Sequence, residues 1–271
     1  HSKRLVSFFK KKFQSILGKY PFSRIDFIIA GTQKGGTTAL YEYFRLHQNI
    51  CMADKKELHF FDEDRYFEKK NPNYSKYHRY FSPNDHSQVI GEATPIYMYW
   101  NKSIERIYVY NPQIKLIIIL RNPIDRAFSH WNMERDKGRE SRTFLKAILD
   151  EESKINSPNY SQNKILSYLD RGYYSQQIKN IYNYFNKDQL LILRSEDLRE
   201  NPDSTLMNVA DFLSIPPFNP VDHKEINSRS YPHKMSKDEL TILTGFYEEE
   251  FSSLENILGW DLSSWIKQNG E

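Results

Sequence analysis

The chain has 271 residues, 39% hydrophobic and 27% charged, with a formal net charge of +3. That length allows one large α/β domain, and the mild positive charge suits an anionic small ligand without indicating a nucleic-acid polymer as partner. No apolar run is long enough to span a membrane, and the single cysteine, Cys51, excludes an intrachain disulfide and favours a reducing, cytoplasmic location.

In residues 3–18 apolar positions fall at helical spacing between lysines and arginines, which predicts a basic amphipathic helix within 1–22, packed on its own domain or lying on a membrane surface. Strand and helix signals then alternate. Ile25–Ala30 reads as a strand and Thr38–Leu46 as a helix. Residues 54–87, rich in charge and aromatics, read as a long excursion with short helices over one end of a sheet. Val89–Gly91 is the next strand, followed by a helix at Lys102–Tyr110, a strand at Lys115–Leu120 and a helix at Arg126–Lys137. Residues 151–163 read as an exposed loop. Ser175–Phe185, Gln189–Leu193 and Thr205–Phe212 read as helix, strand and helix, and the proline-rich 214–234 as a second irregular segment. The alternation predicts an α/β fold with a central parallel sheet flanked by helices, binding its ligand at the carboxyl ends of the strands. No composition break divides the chain, so 1–271 is expected to be a single domain with its core at 23–265.

The sharpest local signal is Ile28–Ala30 running into Gly31-Thr-Gln-Lys-Gly-Gly-Thr-Thr38 and then a helix. Strand, glycine loop and helix together offer backbone N–H groups and a helix N-terminus to an anion. A triphosphate loop would place a lysine directly after its second glycine. Here Thr37 stands there, and the lysine is earlier, at Lys34. No strand ends in an Asp for Mg²⁺, and His and Cys show no close metal-ligand spacing. The loop therefore suits a nucleotide without a β/γ-phosphate–metal unit, and no metal is expected.

Lys34-Gly-Gly-Thr-Thr38 resembles the 5′-phosphosulfate loop of the sulfotransferases that use 3′-phosphoadenosine-5′-phosphosulfate (PAPS). In that family a later strand ends in an arginine and the next helix carries a serine, both on the 3′-phosphate. Arg121 and Ser129, in Arg121-Asn-Pro-Ile-Asp-Arg-Ala-Phe-Ser129, fall at those places. Lys55-Lys-Glu-Leu-His-Phe-Phe-Asp62 is similar to the segment that supplies the base in the glycosaminoglycan-type branch. The resemblance implies Glu57 as base, supported by His59 and Asp62. Gly91-Glu-Ala-Thr-Pro-Ile-Tyr97, Arg171-Gly-Tyr-Tyr-Ser and Leu258-Gly-Trp-Asp-Leu-Ser-Ser-Trp265 are weaker echoes. The echoes together run from about residue 25 to 265.

The resemblance implies a P-loop NTPase-like sulfotransferase fold, with PAPS as donor and adenosine 3′,5′-bisphosphate (PAP) as product. It assigns Lys34, Gly35, Gly36, Thr37, Thr38, Ala39, Arg121 and Ser129 to the donor. Lys34, Glu57, His59 and Asp62 would carry the chemistry. Glu57, His59, Thr94, Tyr97 and Tyr173 would meet the acceptor, a small natural product or a sugar with a hydroxyl or amine, the natural product being favoured because the chain lacks dense basic stripes for a polyanion. In secreted glycosaminoglycan enzymes a late disulfide stands near a loop that touches the 3′-phosphate. It has no counterpart here, which points to a bacterial cytosolic member. Arg229 either takes over the role of that loop toward the donor or caps a turn. The rival readings are a nucleotide kinase-like enzyme and a non-catalytic nucleotide-binding module; oligomeric state is open.

Overall fold

A computed structural model describes residues 22–69, 71–84, 88–219 and 234–267. In chain order the elements are β1 (Phe27–Gly31), α1 (Thr37–Arg45), β2 (Ile50–Met52), α2 (Ser75–His78), β3 (Val89–Ala93), α3 (Asn101–Tyr110), β4 (Lys115–Leu120), α4 (Pro123–Asp136), α5 (Phe144–Ile155), α6 (Tyr174–Tyr182), β5 (Leu190–Arg194), α7 (Ser195–Glu200), α8 (Pro202–Leu213), α9 (Lys237–Leu258) and α10 (Ser263–Lys267). The strands pair in the order β2-β3-β1-β4-β5, all parallel.

Why the strands read as continuous apolar runs is plain from the packing. In β4, Leu116, Ile118 and Leu120 pack into one core while Ile117 and Ile119 pack into the other. A parallel sheet covered on both faces buries every position, so alternation disappears from the sequence. The chain leaves β1 toward β2 and β3 on one side and crosses to β4 and β5 on the other. The carboxyl end of β1 is thus the point where strand order reverses, the place where such sheets take ligands.

Five elements were not among those expected: the short helices α7 and α10, and β2, α5 and α9. β2 has only three residues and is too short to carry a periodic signal. α5 continues through residues 151–155 of the predicted loop, because Thr143 caps it and Phe144, Ala147, Ile148 and Glu151 share a buried stripe. α9, with 22 residues, was hidden by Gly245 and its threonines, which dilute helix propensity. A capping box between Ser236 and Glu239 starts it, and Leu243, Tyr247, Glu250, Phe251 and Leu254 anchor it. Apart from Phe22, the expected helix within 1–22 lies outside the described residues, as do Arg229 and most of 214–234. No helix among the described residues is long and apolar enough to cross a membrane.

Candidate active site

β1 delivers the chain into the glycine loop. Gly35 donates its N–H to the Thr32 carbonyl at 2.9 Å, closing the turn. A Cβ on Gly35 would sit 2.5 Å from the Ile119 carbonyl oxygen, and Gly36 has φ +113°. Both positions therefore require glycine. α1 starts at Thr37 with no side-chain cap, so its first-turn amides, Thr37 to Ala39, are available to an anion. Thr37 is buried, Thr38 exposed, and Lys34, Gly36 and Ala39 intermediate.

From the neighbouring strand, Arg121 reaches the same loop. Its Nη1 lies 3.4 Å from the Lys34 carbonyl oxygen. α4 starts behind it with Pro123 in its first turn and Asn122 accepting from the Ile124 N–H at 3.0 Å. Ser129 lies two turns along α4, only 1% exposed. Glycines, a lysine, a helix N-terminus and a forked guanidinium at the carboxyl ends of two adjacent strands fit a phosphate-bearing ligand.

The Glu57 segment hangs from the end of β3, the strand beside β1. Glu57 donates its N–H to the Ala93 carbonyl (2.9 Å), Leu58 to Thr94 Oγ1 (3.0 Å) and Phe60 to the Tyr97 hydroxyl (2.9 Å). These bonds hold Glu57 at φ +61° and His59 at φ +51°; with Lys34 at +68° they make three of the four non-glycine residues with positive φ among the described residues. Each such conformation costs roughly 1–3 kcal/mol, so the surrounding bonds must hold it. The result is a relay. Lys56 Nζ meets Glu57 Oε1 at 2.6 Å, Glu57 Oε2 meets His59 Nε2 at 3.6 Å, and His59 Nδ1 meets Asp62 Oδ2 at 3.1 Å.

Charge is distributed along this relay by neighbours. The bond to Asp62, with that to Glu57, outweighs burial and raises the His59 pKa to about 9. Burial pushes Glu57 upward, but His59 and Lys56 overcome it and bring its pKa to about 2. Burial likewise opposes Asp62, yet His59 and Lys164 hold its pKa below the usual value. At neutral pH Glu57 and Asp62 are therefore anionic on either side of a cationic His59.

Two of the residues expected to meet the acceptor are buried beneath the Glu57 segment. Thr94 and Tyr97 are both 0% exposed and offer no surface to an acceptor. They carry the Glu57 segment from beneath, and both donate to the buried carboxylate of Glu92, at 2.6 and 3.2 Å. Tyr173 turns toward α9: its hydroxyl approaches the Phe246 carbonyl (3.5 Å) and its ring packs on Tyr247.

Other residues escaped the sequence reading. Glu92 accepts from Tyr77 as well (2.6 Å), and burial raises its pKa to about 7. Its place in the Gly91–Tyr97 echo was the available signal. Lys56, one residue from Glu57, gave only a charge among lysines. Lys164, which pairs with Asp62 Oδ2 at 3.0 Å, gave no local signal, since its partner is distant in sequence.

Comparison with known proteins adds a second line. A family model described as the sulfotransferase domain matches residues 24–256. The chain is 32% identical over 191 residues to the mouse heparan sulfate glucosamine 3-O-sulfotransferase 5, covering 70% of this chain and 53% of that protein. It is 27% identical to the human bifunctional heparan sulfate N-deacetylase/N-sulfotransferase 2, covering 89% of this chain and 31% of that one. It thus spans about half or less of the length of these relatives. The crystal structure of a sulfotransferase from Alicyclobacillus acidocaldarius superposes with a TM-score of 0.77 at 27% identity, covering 90% of this chain and 99% of that one.

Proposed function

The chain belongs to the sulfotransferase domain family, and from that premise we propose that it moves a sulfuryl group from PAPS to a hydroxyl or amine of a saccharide-class acceptor. The observation that carries this reading is the pairing of two devices on adjacent strands. β1 ends in the Lys34 loop, and β3 carries the Glu57 relay beside it. The acceptor class follows the mouse relative, which is named for 3-O-sulfation of heparan sulfate glucosamine.

The donor supplies an activated sulfur whose bond to the 5′-phosphate oxygen breaks as the bond to the acceptor forms. The residues of the chain do the rest. Glu57 takes the acceptor proton, and His59, fixed by Asp62, orients the carboxylate that receives it. Lys34 and the loop amides stabilise the negative charge that gathers on the leaving phosphate oxygen. Arg121 and Ser129 hold the 3′-phosphate and so align the donor. Glu57 starts as a weak base because Lys56 and His59 both hold its proton off. An acceptor hydroxyl that displaces Lys56 removes one of those cations and raises the basicity of Glu57 where it is needed.

The test measures turnover with PAPS and a glucosamine-containing oligosaccharide, with calorimetry of PAP binding. Glu57→Gln is expected to lose turnover by roughly 10²-fold or more while PAP binds as before. Full turnover in Glu57→Gln would remove the base assignment, and preference for ATP over PAP would favour the kinase-like alternative.

A further inference from the structure

Segment 162–171 touches both halves of the site. At its start the Gln162 amide donates to the Tyr99 carbonyl (2.5 Å) and accepts from the Asn101 N–H (3.0 Å). Lys164 Nζ lies 3.0 Å from Asp62 Oδ2, 2.6 Å from the Asp62 carbonyl and 2.9 Å from Glu63 Oε1. At its end Arg171, 2% exposed, donates to the side chain of Gln33 in the donor loop and to the Lys164 carbonyl. The buried carboxylate of Glu151 fixes the stretch between by accepting from the Tyr168, Leu169 and Asp170 N–H groups at 2.7, 2.8 and 3.0 Å.

We infer that Lys164 and Arg171 are positioning residues, and that segment 162–171 ties the Glu57 relay to the donor loop so that donor binding and acceptor activation are coupled. The covalent path between Gln33 and Asp62 is long, whereas Gln33–Arg171–Lys164–Asp62 is a short run of buried or half-buried polar contacts. A loop held open to solvent would not need two cations with their heads turned inward. The inference rests on Glu57 and its relay as the acceptor-activating group.

The groups facing the relay are few. His59 meets Glu57 and Asp62; Glu57 meets Lys56; Asp62 meets His59 and Lys164, with Glu92 and Tyr97 beneath it. His59 is therefore a reporter of the acceptor side, and PAP is the probe for the donor side.

The experiment follows the His59 titration by NMR in the full chain, with and without saturating PAP. In the wild type PAP is expected to move the His59 midpoint by about 0.5 pH unit, the coupling expected between linked sites. Gln33→Leu cuts the segment from the donor loop, and Lys164→Met cuts it from Asp62. Each is expected to bind PAP within roughly threefold of wild type and to lose the His59 response, while Lys164→Arg regains it. The through-space charge of PAP is the same in all four proteins. A His59 response that persists in both cut variants, or none in the wild type, overturns the inference. Full turnover in Glu57→Gln would instead sink the base assignment and leave the coupling measurement standing.

Discussion

Tyr97→Phe separates a framework role from an acceptor contact. The Tyr97 hydroxyl accepts from the Phe60 N–H at 2.9 Å and donates to Glu92 at 3.2 Å, in a side chain that is 0% exposed. Removing it leaves the N–H of Phe60, a 4% exposed residue, without its partner. A stranded buried donor costs about 1–3 kcal/mol and a hydrogen bond to a charged group adds about 1.5–3 kcal/mol. Because Glu92 has a pKa of about 7 and is part neutral in the fold, the lower end of the second range applies, and the sum is about 2.5–4.5 kcal/mol. The ring stays, so no cavity adds to it. Equilibrium urea unfolding near neutral pH reads this loss directly. The same bond sets the path of residues 57–61, so kcat should fall by roughly ten- to hundredfold with PAP affinity unchanged. Wild-type stability together with a raised acceptor KM would refute the reasoning, since that is what a direct acceptor contact would give.

Two further predictions concern the donor loop and the relay. Arg121→Lys keeps a cation but loses the planar fork, so PAP affinity should fall by roughly tenfold or more by calorimetry, with little change in thermal stability. His59 has a folded pKa raised to about 9. Its contribution to stability is therefore complete below its unfolded value, about 6.5, and is lost as pH rises through about 9. His59→Gln should flatten the fall of unfolding free energy across that window, and an unchanged slope in urea titrations would contradict the assignment.

Much of the architecture was legible because its signals are local. The β1–loop–α1 unit shows in sequence as apolar residues, glycines and hydroxyls within a dozen positions, and the displaced Lys34 needs no tertiary information to be seen. Arg121 with Pro123, and Glu57 with His59 and Asp62, are short-range patterns of the same kind. What stayed hidden depends on partners far along the chain. Nothing near Thr94 or Tyr97 says that they face inward onto Glu92 rather than outward to an acceptor. Nothing near Lys164 names Asp62, 102 residues away. Short-range chemistry writes itself into spacing, so the sequence alone determined the sheet class, the glycine loop and the Glu57, His59 and Asp62 members of the relay. Which polar groups are buried, and against which charges, depends on how β1, β3 and segment 162–171 pack together. Burial and neighbouring charge fix the protonation of the relay, and only the tertiary structure decided them.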